Sequence, residues 1–251
     1  MLENKIQIID ETKNYLIINK PAGLIVHGGT VIKEKTLVDF LLDKYPDLAK
    51  IGEDPMRPAI VHRLDKEASG LMIIPKNNEA FEYYKNLFKK RKIDKGYIAL
   101  VFGQVPRDED VIDFSIVRSS QGHKMACLPK SMKEEALSNR DEGNLKAREK
   151  SRLALTKYSV LKRLINYTLL NIQITTGRTH QIRVHFSAYG HPLVGDNLYA
   201  NKKTKIKNKK INLGRIFLMA NHLGFIDQDG QKKEYSLEIS SDLKEALKRL
   251  K

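Results

Sequence analysis

The sequence predicts a mixed α/β fold of the α+β kind. Short apolar runs bounded by turn residues recur along the chain, and a few segments with helical spacing lie between them. The two kinds of segment do not alternate regularly, which argues against a doubly wound parallel sheet. Neither GxGxxG nor GxxxxGK[ST] occurs, which removes the usual nucleotide-binding readings.

Taken in order, IQII (6–9) and YLIIN (15–19) read as strands, followed by a turn at Lys20-Pro21-Ala22-Gly23 and a further strand, LIVH, at 24–27. TLVDFLLDKY (36–45) has apolar residues at helical spacing. IVHRL (60–64) and GLMIIP (70–75) read as strands flanking a tight polar loop from Asp65 to Ser69. A helix is expected over 77–91 and a buried strand over 97–103. Residues 129–152 carry many charges and few large apolar groups, so they are expected to form a flexible insertion. Strands resume at 153–161 and 167–174. A helix follows from about Thr179 to Tyr189, with Thr179 near its N-cap and Gly190 where a left-handed residue closes it. The last ten residues form an amphipathic helix capped by Ser241 or Asp242.

Length and charge bound the function. The 251 residues, 41% hydrophobic, are enough for one large domain or two small ones. No apolar run is long enough to span a membrane, and the first residues lack a secretory pattern. The lone cysteine, Cys127, cannot form an internal disulfide, which fits a reduced, cytoplasmic setting. Lys plus Arg is 45 against 30 Asp plus Glu, a net charge of +15 that attracts polyanions, nucleic acid first. The bases cluster at NKKTKIKNKK (201–210) and KNLFKKRKIDK (85–95), where they can meet phosphates or simply face solvent.

Asp65 follows a strand-like run and precedes a Ser69-Gly70 turn, a place from which a side chain can be presented to a ligand. Taken alone, a loop Asp is most often a cap or turn residue. The segment TTGRTHQIRVHFSAYGHPLVGDNLY (175–199) changes the weighing. It packs Arg178, His180, Gln181, Arg183, His185 and His191 into one strand-turn-helix unit. Arg178, Gln181 and His185 are three and four apart and are expected to share a helical face. His180 and His185, five apart, do not, and a lone cysteine rules out a cysteine-based zinc site, so no metal is expected.

These segments, in this order, resemble the RluA-type family of RNA pseudouridine synthases over nearly the whole chain. LIINKPAGLIVH (16–27) is similar to the family's first motif. RPAIVHRLDKEASGL (57–71) resembles the segment with the catalytic aspartate, which falls on Asp65. KGYIALVFG (95–103) resembles the motif that supplies an active-site tyrosine, here Tyr97. ITTGRTHQIRVHFSAYGHPLVGD (174–196) resembles the motif that supplies a basic partner, here Arg178. Ala68 stands where the family usually has Thr, and RIFLMANHLGFID (215–227) has Met219 where a histidine is common and lacks the usual proline after Asp227. The resemblance implies a mostly antiparallel, mixed β-sheet with flanking helices and loops, the active site lying in a central cleft. It implies a single catalytic domain over 1–251, acting as a monomer without the S4-type RNA-binding domain and with no obligate protein partner.

The implied reaction isomerises uridine in ribosomal or transfer RNA and uses no cofactor. Asp65, Tyr97 and Arg178 would be catalytic, and His62, Arg63, Leu64 and Gln181 would bind substrate. A carboxylate in a site dry enough to hold uracil loses hydration, which favours its neutral form; a fixed guanidinium opposes this. Tyr97 would stack on the uracil, and Arg63 would fill the stack that a flipped uridine vacates. Whether Asp65 attacks the sugar at C1′ or removes a proton from C2′ stays open. Two other readings compete: a non-catalytic RNA-binding or ribosome-assembly protein, and a DNA-binding protein, which lacks a recognisable recognition helix.

Overall fold

A computed structural model of the chain describes residues 6–28, 34–119, 124–128 and 151–250. In chain order the strands are β1 (Gln7–Glu11), β2 (Tyr15–Lys20), β3 (Ser69–Pro75), β4 (Asp94–Phe102), β5 (Glu109–Ile112), β6 (Ser115–Arg118) and β7 (Met125–Leu128). They continue with β8 (Thr156–Leu164), β9 (Tyr167–Ile174), β10 (Leu218–Ile226) and β11 (Lys232–Ser236). The helices are α1 (Leu37–Lys44), α2 (Asn78–Lys89), α3 (Gln181–Ala188), α4 (Lys202–Ile211) and α5 (Ser241–Arg249). They fall into two compact units, Met1–Gly96 with Leu218–Ile239, and Tyr97–Phe217 with Ser240–Lys251.

In the first unit the strand order is β1-β2-β3-β10-β11. Neighbours run antiparallel except β3 and β10, which are parallel. All seven residues of β3 are buried, as are five of the six in β2. A strand covered on both faces reads as an unbroken apolar run, which is why both were legible in the sequence. The core packs Tyr15, Tyr84 and Phe225 edge to face, with ring centroids 5.4–5.6 Å apart. Helix α2 adds Ala80, Phe81 and Tyr84, and its first turn is capped by the Asn77 side chain accepting from the Ala80 N–H at 2.8 Å. A Thr36–Asp39 capping box starts α1.

In the second unit β4, β9, β8 and β5 are neighbours in that order, and β6 and β7 form a separate antiparallel pair. The β8–β9 and β5–β8 pairs are antiparallel. The observed class is therefore mixed α/β with mostly antiparallel pairing, as the sequence led us to expect.

Some local expectations are corrected. Residues 24–27 and 60–64 are irregular loops, not strands. Their apolar side chains, Leu24, Val26 and Leu64, are nonetheless buried, and buried apolar residues in a loop mimic a strand. The Ile25 and Val26 carbonyls accept from the Leu37 and Val38 N–H groups rather than from a ladder, and Ala59 at φ 57° turns the chain. Helix α3 begins at Gln181, not Thr179, with His180 at φ 55° in the N-cap position and no side-chain cap. Arg178 therefore precedes the helix and does not share its face with Gln181 and His185. The closing helix follows Ser240, and neither Ser241 nor Asp242 is its cap. Gly190, at φ 88°, does adopt the left-handed conformation expected of it. The lysine run at 201–210 is helix α4, and 215–236 holds two strands, β10 and β11, that the sequence reading did not assign. Residues 129–150 of the expected insertion lie outside the described residues.

Candidate active site

Asp65 sits in the first unit, at the start of the turn that leads into β3. The Ala68 N–H donates to the Asp65 carbonyl at 3.2 Å, closing that turn. The turn is tied to the Lys20–Leu24 loop. The Gly23 N–H donates to the Lys66 carbonyl at 2.7 Å, and the Lys20 ammonium donates to the Pro21 and Leu24 carbonyls at 2.8 Å and to the Lys66 carbonyl at 3.4 Å. Lys20 is fully buried. Such an ammonium is tolerated only where acceptors replace its water, and here they include the backbone carbonyls of two loops. The sequence reading took Lys20 as a turn residue; only Pro and Gly signals were visible there.

Gly70 fixes the other end of the turn. It has φ +122°, and a Cβ built on it would lie 2.1 Å from the Ala220 carbonyl oxygen on β10. Only glycine permits this parallel crossing of Gly70 and Ala220 beside the Asp65 turn. Two positions that depart from the family pattern adjoin it, Ala68, which is buried, and Met219, which pairs with Ser69; the third departure lies past the far end of β10, where Asp227 accepts the Asp229 and Gln231 N–H groups to close the β10–β11 turn.

The residues beside Asp65 divide into inward and outward groups. Arg63 is exposed, with one guanidinium nitrogen 3.4 Å from His27 Nε2, and remains available to a ligand. His62 and Leu64 make contacts within the protein. Leu64 is 5% exposed. The His62 ring stacks on Phe88 at 4.4 Å, and its Nε2 accepts the Ile73 N–H at 3.0 Å. Burial, reinforced by the nearby Lys95 charge, pushes the His62 pKa down to about 3. His185, in the second unit, is lowered to about 4 by burial, although its Nε2–H donates to the Phe114 carbonyl at 3.1 Å.

Both histidines are neutral when folded and take a proton below about 6.5 when unfolded. The stability that this adds is complete above pH 6.5 and is lost as pH falls towards 4. Each should remove about 1.4 kcal/mol per pH unit across that window. Urea midpoints measured from pH 7.5 to pH 4.5 should decline accordingly, and His62→Gln should flatten the decline. An unchanged slope in that variant would contradict the assignment.

In the second unit Arg178 is exposed in the turn between β9 and α3, and Tyr97 is 8% exposed on β4. The turn is held by Gln181, which is 3% exposed. Gln181 Oε1 accepts from the Arg178 N–H at 3.1 Å and the Thr176 hydroxyl at 2.8 Å. Its Nε2 donates to the Leu155 carbonyl at 2.9 Å and to Thr156 Oγ1 at 3.1 Å. The backbone partners fix which end of the amide is which. Gln181 thus holds the turn that presents Arg178. Gln181→Leu leaves several buried polar groups unpaired and should lower stability by about 3 kcal/mol. Turnover should fall with it while RNA affinity changes little; a selective loss of affinity would point to a substrate contact.

Further residues brace the same turn. The His180 Nδ1 and Tyr199 hydroxyl lie 2.9 Å apart, and Arg183 stacks over the Tyr199 ring at 5.4 Å. Arg183 also makes a buried two-pronged pair with Asp196, at 2.7 and 3.0 Å. Asp196 was not singled out from sequence, where an acid between Gly195 and Asn197 looks like a turn residue.

Among the described residues no helix is long and apolar enough to cross a membrane, and no three His, Cys, Asp or Glu side chains are grouped to hold a metal.

Residues 14–188 match the family described as RNA pseudouridylate synthase. An uncharacterized RNA pseudouridine synthase of Aquifex aeolicus is 42% identical over 224 residues, covering 88% of this chain and 65% of that protein. Ribosomal large subunit pseudouridine synthase D of Zymomonas mobilis is 33% identical over 249 residues, 98% of this chain and 73% of its own length. This chain spans about 65% of the length of the relatives from Aquifex aeolicus and Chloroflexus aurantiacus. Human RNA Pseudouridylate Synthase Domain Containing 4 aligns with TM-score 0.72 at 25% identity, over 97% of this chain and 92% of that one. With the match running through the Asp65 turn, the Tyr97 strand and the Arg178 turn, the chain belongs to the RNA pseudouridylate synthase family.

Proposed function

We propose that this protein isomerises uridine in RNA to pseudouridine, with Asp65 as the catalytic carboxylate and without metal or cofactor. The observation that carries this is the family match over 14–188, which takes in Asp65, Tyr97 and Arg178. The N1–C1′ bond of uridine breaks, the uracil turns, and C5 bonds to C1′. The C5 proton is lost to solvent and N1 gains one, so atoms and electrons balance with no redox partner. Attack of Asp65 on C1′ and removal of the C2′ proton both require the ionised carboxylate, and the Arg178 guanidinium would keep it so. Tyr97 would stack on the uracil, and exposed Arg63 would fill the gap left by the flipped nucleotide.

Both units would belong to one catalytic domain, since the family match runs through both. The substrate would be ribosomal or transfer RNA. The net charge of +15 suits either, and relatives named for the large ribosomal subunit favour the first. The enzyme would act as a monomer in the cytoplasm, with no obligate protein partner. Purified protein should release tritium from ribosomal or transfer RNA transcribed with 5-tritiated uridine. No release from either RNA would sink the proposal.

A further inference from the structure

Helix α4 carries six lysines, at 202, 203, 205, 207, 209 and 210, and no acid. None of them has a carboxylate partner among the described residues. In the other basic stretch Lys85 pairs with Glu53 and Glu82 at 2.8 and 3.0 Å and Lys95 lies over the Phe88 ring, while Lys89, Lys90, Arg91 and Lys92 are exposed without a carboxylate partner among the described residues.

The electrostatics of α4 oppose its own folding. Lys202–Lys205, Lys203–Lys207, Lys205–Lys209 and Lys207–Lys210 are like-charge pairs at helical neighbour spacing. Lys202 and Lys203 also lie at the positive end of the helix dipole, where no acid offsets them. The helix persists because its inner face is anchored. Asn201 caps the Thr204 N–H at 2.9 Å. Asn208 accepts from the Gly195 N–H at 2.8 Å and donates to the Asp196 carbonyl at 3.1 Å. Thr204 and Asn208 are buried. Opposite them, Ile206 is 60% exposed, and Lys202, Lys203, Lys209 and Lys210 lie three or four residues from it on the helix surface. The helix thus sets four lysines around one apolar side chain along about 12 Å of its outer face.

We infer that this outer face of α4 docks the sugar–phosphate backbone of structured RNA, the lysines meeting phosphates and Ile206 a ribose. An anionic backbone supplies the countercharge that the helix lacks, and it is read by shape and charge rather than by sequence. The inference rests on RNA as the substrate. That reading is tested separately, by tritium release from the wild-type enzyme.

The test replaces Lys202, Lys203, Lys209 and Lys210 together with Gln. Removing repulsion should leave the melting temperature unchanged or higher. Affinity for a large-subunit ribosomal RNA transcript should fall about tenfold or more at moderate salt. The slope of log affinity against log salt should become shallower by about 3 to 4. Turnover at saturating RNA should be unchanged, so the loss appears in KM. The matching Lys→Arg variant should behave as wild type. Equal affinity and salt slope in the Gln variant would overturn the inference. So would loss of binding to phosphatidylserine vesicles with RNA binding intact, which would make the face a membrane contact. If the wild type binds RNA through these lysines yet releases no tritium, the enzymatic reading fails and the docking face stands.

Discussion

Asp65→Asn should reduce pseudouridine formation to below about one thousandth of wild type, measured as tritium release under single-turnover conditions. The amide keeps the size of the carboxylate but can neither attack C1′ nor take a proton. The variant should still fold. The turn is held by backbone groups: the Asp65 carbonyl closes it, and Lys20 and Gly23 grip it through the Lys66 carbonyl. RNA affinity should stay within a few-fold of wild type. Near-normal tritium release by this variant would remove Asp65 from the chemistry.

Arg178→Met should have the next largest effect, a fall in kcat of about 100- to 1000-fold. The exposed guanidinium would act through its charge on the catalytic carboxylate, and the turn that presents it is built by Gln181, Thr176 and the Arg178 N–H, none of which the substitution touches. Stability and RNA affinity should therefore hold. Arg178→Lys should recover part of kcat but not all, because an ammonium cannot grip a carboxylate with two parallel bonds. A purely additive loss in RNA affinity, with kcat intact, would show that Arg178 only binds RNA.

Strands β2 and β3 were legible because burial on both faces leaves an unbroken apolar run, and α1 and α2 because they carry caps and an apolar stripe. The loops at 24–27 and 60–64 were misread because their apolar residues are buried without a ladder. Helix α4 was hidden because its inner face is Thr204 and Asn208, polar residues that leave no apolar stripe. At the site, motif spacing pointed to Asp65, Tyr97 and Arg178 where periodicity could not. The roles of His62, Leu64 and Gln181 were not visible. A polar residue within a motif carries no sign of its internal partners, and the bonds of His62 to Ile73 and of Gln181 to the Arg178 turn appear only in the fold.

The most direct measurement is a pseudouridine map of total RNA from cells that lack this gene, carry the wild-type gene, or carry Asp65→Asn at equal protein level. One or more uridines should lose modification without the gene, regain it with the wild type, and remain unmodified with Asp65→Asn. Restoration of those sites by Asp65→Asn, or the absence of any site that depends on the gene, would contradict a uridine isomerase acting through Asp65.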